Sequence, residues 1–301
     1  MSKLLGYGLF EMDGEVLKGR NHMAILRNLR NMFSNDISEY HAKKILLALK
    51  SGVENGKQFP FRYFTAYTMI QNADVKYKNL ILDTLVECLD IALVNLPKLP
   101  GKTVCLSDNS GSAHGSFVSE YGSMDIAKIN NLSSILTAQN ADEGEFYVFG
   151  DKLIEVPVSK RNGALIQLKE ANSLGEKVGM STENGVWLYL DKIIRNKEHI
   201  DNLFIYSDMQ AGHGGLYGIN SLDYKEHAHG RYIDVLSLVE KYRKEVNPKV
   251  NVFTVQTAGY INVVLPENLY RTSVLYGWTG KESVYADKMI SLWNEADKDN
   301  N

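Results

Sequence analysis

The hydrophobic pattern of the chain changes at one short segment, and this change constrains the fold more than any other feature. Residues 96–101 read LPKLPG, and two prolines and a glycine so close together interrupt regular secondary structure. Before this segment, residues 20–96 place apolar side chains about one helical turn apart, which predicts one helix after another. After it, short apolar runs alternate with amphipathic stretches. We therefore predict two domains, residues 1–98 and residues 99–301.

The second domain is predicted to be of the α/β class, with a doubly wound, mostly parallel sheet. Strand-like runs such as KTVCLSD and NLFIYSD alternate with helical stretches. This alternation is typical of a parallel sheet with helices on both faces. The segment EFYVFGDKLIEVPV reads as two strands around Gly150 and Asp151. The first domain is predicted to be small and all-α.

The composition is that of an ordinary globular protein. Of the 301 residues, 44% are hydrophobic and 23% are charged, which excludes a disordered chain or a disulfide scaffold. Cys88 and Cys105 lie in apolar runs and are predicted to be buried thiols in a reducing compartment. No apolar run reaches the roughly 18 residues of a membrane span, and the N-terminal segment lacks signal-peptide features. We expect a cytoplasmic protein without a membrane partner.

Three predicted loops carry oxygen-bearing side chains to one edge of the sheet. In a doubly wound sheet, ligands bind at the carboxyl ends of the strands, so residues that follow each strand are candidates. The residues of this kind are Asp108, Ser110, Ser112, Ser181, Thr182 and Asp208. Carboxylate and hydroxyl oxygens suit Mg²⁺ or Mn²⁺, which bind about six oxygen ligands and keep some water. The alternative interpretation of the first loop is a polar turn or a helix cap.

The sequence DNSGS at residues 108–112 resembles the D-x-S-x-S fingerprint of von Willebrand factor A domains. In that family the motif builds a metal-ion-dependent adhesion site. The resemblance implies that Ser110 and Ser112 ligate the metal, and that Asp108 and Asp208 hold metal-bound water. It further implies that Thr182 comes from the second loop, although Ser181 beside it could take that place. A remaining coordination position would accept a carboxylate from an acidic protein partner.

The first domain resembles the TROVE module, which occurs in the Ro autoantigen and its bacterial relatives. The segments MAILRNLRNM and FPFRYFTAY resemble parts of that module, and LPKLPGKTVCLSD resembles its junction with the A domain. The resemblance covers about residues 20–295. Modules of this family form a ring of helical repeats that binds misfolded RNA and small RNAs. Only about 100 residues precede the predicted A domain, so a closed ring from a single chain is not expected.

The charge distribution gives a separate indication of RNA binding. Residues 1–100 carry 13 basic and 10 acidic side chains, a net charge of +3. The whole chain has a net charge of −3, so residues 101–301 carry −6. The candidate RNA-binding residues are Arg20, Arg27, Arg30, Lys43, Lys44 and Arg62. Tyr63, Phe64 and Tyr67 are close in sequence and could stack on bases. The alternative is a solvated helix surface with the aromatic side chains in the core.

The sequence therefore predicts a non-enzymatic, RNA-binding module of the ribonucleoprotein type with a divalent-metal adhesion site. The main alternative is a protein–protein interaction or assembly component that does not bind RNA. A third reading is a metal-dependent hydrolase that uses the same oxygens, but the sequence shows no evident general base. It also has no G-x-S-x-G motif, which argues against a serine hydrolase.

Overall fold

The fold is described from a computed structural model of the chain. The residues that it describes are 22–34, 36–114, 125–180, 185–208, 228–229, 232–258, 263–278 and 280–299. Contacts between residues divide the chain into two compact units, of which the first ends at Leu96 and the second begins at Pro97. Each unit is considered separately below.

The first unit is helical, as its hydrophobic pattern predicts. Its helices are α1 (His22–Phe33), α2 (Glu39–Ser51), α3 (Val53–Gly56), α4 (Pro60–Gln71) and α5 (Lys78–Ala92), followed by a 3₁₀ turn (Leu93–Asn95). The Ser38 side chain caps α2 by accepting a hydrogen bond from the backbone N–H of His41. Pro60 begins α4, where its missing N–H leaves no helical hydrogen bond unmade. The apolar side chains of Leu29, Leu49 and Leu85 are buried in the core of this unit.

The second unit contains a six-stranded sheet. Its strands are β1 (Leu99–Asp108), β2 (Ala141–Phe149), β3 (Leu153–Val156), β4 (Asn202–Ser207), β7 (Asn251–Gln256) and β8 (Thr272–Tyr276). Their spatial order is β3-β2-β1-β4-β7-β8, and β3 alone runs antiparallel to its neighbour. The strands β5 (Ala228–His229) and β6 (Tyr232–Ile233) form a separate small ribbon. The predicted hairpin around Gly150 and Asp151 is thus the β2–β3 pair.

Helices cover both faces of this sheet, which confirms the predicted doubly wound architecture. They are α6 (Ile126–Gln139), α7 (Ala164–Gly175), α8 (Gly185–Arg195), α9 (Val235–Glu245) and α10 (Glu282–Asp299). On one face, α8 and α9 pack on Val104 and Leu106 of β1. Alternate side chains of a strand point to opposite faces, so Cys105 points to the face on which α6 packs against β1.

The structure bears on the predictions made for the two cysteines and for the segment around Pro100 and Gly101. Cys88 and Cys105 are both buried free thiols, as predicted. Pro100 and Gly101, assigned from sequence to a break between domains, lie within β1, where the pairing with β2 is irregular between Leu99 and Lys102. Gly101 adopts a φ of +75°, a conformation that side chains with a Cβ rarely take. Within the described ranges, no helix is both long and apolar enough to cross a lipid bilayer.

Candidate functional site

The candidate site lies where the strand order of the sheet reverses. The chain passes from β1 outward to β2 on one side, and later returns to place β4 on the other side of β1. The carboxyl ends of two such strands leave a crevice between their loops, which is the usual ligand position in this architecture. Asp108 is the last residue of β1 and Asp208 directly follows β4. Both side chains are completely buried.

The Asp108 carboxylate is held by hydrogen bonds from two directions. Its Oδ1 accepts a hydrogen bond from the backbone N–H of Ser110 at 2.9 Å. Its Oδ2 accepts one from the Ser207 hydroxyl, the last residue of β4, at 2.6 Å. The carboxylate therefore bridges the first loop and the neighbouring strand, and its orientation is fixed from both sides.

The two candidate ligand serines present their hydroxyls side by side. The Oγ atoms of Ser110 and Ser112 are 3.2 Å apart. Neighbouring oxygens around an octahedral Mg²⁺, with bonds of about 2.0–2.1 Å, lie about 3 Å apart. The pair therefore has the spacing of two adjacent ligands, although the same distance also suits an ordinary hydrogen bond between hydroxyls.

The electrostatics of the site favour a bound cation. Burial, and then the negative charge of Asp208, raise the pKa of Asp108 to about 6, against the opposing effect of its hydrogen bonds from Ser207 and Ser110. Two buried carboxylates close enough to interact are costly without a positive charge nearby. A divalent cation would offset this cost and favour the ionised form of Asp108.

The loop expected to supply Ser181 or Thr182 as a ligand contacts the first loop through Met180. The backbone N–H of Gly111, between the two serines, donates a hydrogen bond to the carbonyl of Met180 at 2.7 Å. A Cβ at Gly111 would lie 3.2 Å from the Met180 carbonyl oxygen and 2.8 Å from its Cε, the movable end of an exposed side chain, so the two loops approach closely here. Ser181 and Thr182 follow Met180 directly but lie outside the described residues. Their choice as ligand stays a prediction.

The residues present fit a magnesium-type site made of hydroxyls and two carboxylates. Hard oxygen donors come from two carboxylates and two hydroxyls, those of Asp108, Asp208, Ser110 and Ser112. The Asp108 carboxylate is itself hydrogen-bonded to the backbone N–H of Ser110 and to the Ser207 hydroxyl. Over the described part of the chain, no group of three or more His, Cys, Asp or Glu side chains could hold a metal.

Sequence reasoning missed the polar layer that supports the site. The helix α6 buries nearly every residue, and its Asn130 donates a hydrogen bond to the backbone carbonyl of Asp108 at 3.0 Å. Asn131 exchanges hydrogen bonds with the side chain of Asn109 at 2.8 and 2.9 Å. The adjacent asparagines in IAKINNLSSIL were a detectable signal, because a helix that packs on a sheet rarely buries two amides without a specific partner.

The candidate RNA-binding residues of the first unit have different surroundings. Arg27, Arg30 and Arg62 are exposed on helices α1 and α4. Lys43 is exposed and pairs with Glu39 at 2.6 Å. Arg20 lies outside the described residues.

For two of the neighbouring aromatic residues, the structure supports the alternative of burial in the core over stacking on bases. Tyr63 and Phe64 are buried, because α4 turns them into the core, and their rings cannot stack on a base. Tyr40 is the exposed aromatic residue near the basic set, with 63% of its surface accessible. The Nζ of Lys44 lies 4.5 Å from the centroid of its ring.

Comparisons with known proteins agree with the fold and with part of the sequence. Residues 19–130 match the family described as TROVE domain. No curated protein matches the chain. Among solved structures, the Ro (RSR) protein of Deinococcus radiodurans is similar with a TM-score of 0.67 at 12% identity, over 88% of this chain and 53% of that one. The chain thus spans about half the length of that Ro protein. The fold of this chain is thus similar to that of a Ro protein, and residues 19–130 match the TROVE domain.

Proposed function

We propose that the protein is a non-enzymatic, RNA-binding module of the ribonucleoprotein type with a divalent-metal adhesion site in its second unit. The observation that supports the metal site best is the junction of β1 and β4. There two buried carboxylates lie beside a pair of serine hydroxyls 3.2 Å apart. The bound metal would be Mg²⁺ or Mn²⁺. It would bind a carboxylate of an acidic protein partner, in the manner of a von Willebrand factor A domain.

The chain's own residues would act by holding and orienting. Ser110 and Ser112 would ligate the metal, and Asp108 and Asp208 would hold its water molecules. Few charged direct ligands leave the cation electrophilic, so that a carboxylate from outside is an attractive further ligand. We propose binding and not hydrolysis, because the sequence shows no evident general base for this site.

Calorimetric titration with MgCl₂ and with MnCl₂ tests the metal site. The wild-type chain should bind one divalent cation, and Ser110→Ala should weaken binding because it removes a direct ligand. Ser133→Ala is a suitable control, because Ser133 is also a buried serine but belongs to the middle of α6. Wild-type protein that binds neither cation would contradict the proposed site.

RNA binding is supported by the TROVE match and by exposed basic side chains on the first unit. The Deinococcus radiodurans protein of similar fold is described as a Ro protein, and the TROVE match covers the helices that carry Arg27, Arg30, Lys44 and Arg62. Tyr40 adds an exposed ring beside Lys44, and an aromatic ring with a nearby cation can stack on a base and bind its phosphate.

Fluorescence anisotropy with a labelled single-stranded RNA tests this part of the proposal. We expect Lys44→Gln to weaken binding and to reduce the slope of log Kd against log salt by about 1. Lys50→Gln serves as the control, since Lys50 lies on the same helix but is paired with Glu87 and is not among the candidate RNA-binding residues. Undetectable binding at low salt would contradict the RNA proposal. It would favour an assembly component that binds only protein.

A further inference from the structure

Four buried residues form a closed circuit of hydrogen bonds beneath the candidate metal site. Asn130 Nδ2 donates to the carbonyl of Asp108 at 3.0 Å, and its Oδ1 accepts from the Thr257 hydroxyl at 2.7 Å. The backbone N–H of Thr257 donates to the carbonyl of Ser207 at 3.0 Å. The Ser207 hydroxyl completes the circuit by donating to Asp108 Oδ2 at 2.6 Å.

This circuit joins four parts of the second unit around Asp108. Asp108 ends β1 and Ser207 ends β4, while Asn130 belongs to α6 and Thr257 directly follows β7. None of the four is more than 5% exposed. Bulk water therefore cannot replace a lost hydrogen bond, and a polar atom left unmatched here would be destabilising.

The chemistry of the circuit assigns each group one role. The Asn130 amide can satisfy both neighbours only when its nitrogen faces the Asp108 carbonyl and its oxygen faces the Thr257 hydroxyl. The Asp108 carbonyl, which can only accept, fixes the rotation of the amide, and the amide in turn holds the backbone of Asp108. The Thr257 hydroxyl, which also lies 3.2 Å from the Ser207 carbonyl, holds the amide oxygen in place. Ser207 fixes the carboxylate itself.

We propose that Asn130 and Thr257 are positioning residues for the divalent cation, so that metal affinity depends on the end of β7, which supplies none of the expected ligands. This inference rests on the proposed metal site. The backbone carbonyl held by Asn130 belongs to Asp108, the first residue of DNSGS. Its position therefore sets the start of the loop that carries the Ser110 and Ser112 hydroxyls. Loss of a residue that orients a metal ligand usually lowers metal affinity 10- to 100-fold.

Replacement of Thr257 in the full chain tests the proposal by Mg²⁺ titration calorimetry. Thr257→Val keeps the shape of the side chain but removes the hydroxyl, and we expect it to raise the Kd for Mg²⁺ about tenfold or more. Thr257→Ser keeps the hydroxyl and should restore affinity to within about threefold of wild type. If Thr257→Val does not fold, Thr257→Ala removes the same hydroxyl without adding an apolar group.

A matched control separates positioning from general stability. Thr137 is 3% exposed, lies on α6 as Asn130 does, and has its hydroxyl 2.8 Å from that of Tyr206. Thr137→Val should lower the melting temperature in EDTA without changing the Kd for Mg²⁺. Equal loss of affinity in Thr137→Val and Thr257→Val, or wild-type affinity in Thr257→Val, would overturn the inference while the metal site stands. Absence of Mg²⁺ binding by the wild type would overturn both.

Discussion

Asp108 is the residue at which burial, charge and hydrogen bonding meet. Its carboxylate is fully buried beside Asp208, and it is held by Ser207 and by the backbone of Ser110. These hydrogen bonds favour the ionised group, but burial and the neighbouring charge act against it and prevail, because the pKa rises to about 6. Near neutral pH the metal-free protein therefore keeps a charge that its surroundings disfavour.

Removal of the Asp108 charge should keep or raise the thermal stability of the metal-free protein and abolish its stabilisation by Mg²⁺. In Asp108→Asn the buried negative charge is gone, while an amide oxygen can still accept one of the two hydrogen bonds. We expect the metal-free variant to melt at or above the wild-type temperature at pH 7.5. A Mg²⁺ concentration of 100 times the Kd should stabilise the wild type by about 2.7 kcal/mol and leave the variant unchanged. Equal stabilisation of both proteins in thermal melts would contradict the assignment.

The raised pKa also predicts how the stability of the metal-free protein depends on pH. The folded state binds a proton at Asp108 more tightly than the unfolded state, whose pKa is near 3.8, so this group's contribution to stability is lost as pH rises from about 4 to about 6. The loss is at most about 3 kcal/mol. Urea unfolding in EDTA at pH 4.5 and 7.5 should show it as a difference between wild type and Asp108→Asn. Parallel pH profiles of the two proteins would count against it.

At the scale of elements, the close approach of α7 to the first loop of the site depends on a glycine. A Cβ at Gly175 would lie 2.1 Å from Oδ1 of Asn109 and 2.7 Å from its Cγ. Asn109 cannot move away easily, because its amide is hydrogen-bonded to Ser107 and Asn131 in the buried polar layer. The position of α7 and that of the first loop of the site are therefore linked.

Gly175→Ala should destabilise the protein although alanine is the better helix former. Helix propensity favours alanine by about 1 kcal/mol, but overpacking of a buried contact typically costs 1–3 kcal/mol. We expect a net loss of about 1 kcal/mol and a weaker Mg²⁺ affinity. Ser173→Ala, an exposed position in the same helix, should change the unfolding free energy by less than about 0.5 kcal/mol. A more stable Gly175→Ala, measured by urea unfolding, would show that the loop can adapt.

The elements that can be read from the sequence are those with a strong local pattern. The strands β1, β4 and β7 are short apolar runs, and the helical unit shows its turn-by-turn periodicity, so both were predictable. The sequence left open whether Tyr63 and Phe64 stack on bases or lie in the core, because proximity to Arg62 does not say which side of α4 faces the core. The circuit through Thr257 was not predictable, since it joins residues up to 149 positions apart and depends on strand order.

At the scale of the whole molecule, two units of different charge carry two different kinds of candidate site. The net charge is +3 over residues 1–100 and −6 over residues 101–301. The exposed candidates Arg27, Arg30, Lys44 and Arg62 belong to the first unit, and the buried carboxylates of Asp108 and Asp208 belong to the second. The proposed phosphate binding and cation binding would thus use side chains of opposite sign in separate units, and we expect each to respond to its own substitutions.

This separation predicts that loss of the metal site leaves RNA affinity intact. Mg²⁺ itself screens phosphates, so the comparison must use one Mg²⁺ concentration for every protein. At 2 mM MgCl₂, chosen as a standard condition, Asp108→Asn should bind a labelled single-stranded RNA within about twofold of wild type, because it changes no exposed charge. Lys44→Gln should weaken RNA binding while it keeps the wild-type Mg²⁺ titration. If Asp108→Asn instead lowers RNA affinity tenfold or more, RNA and metal bind cooperatively, and the two units must then be treated as one site.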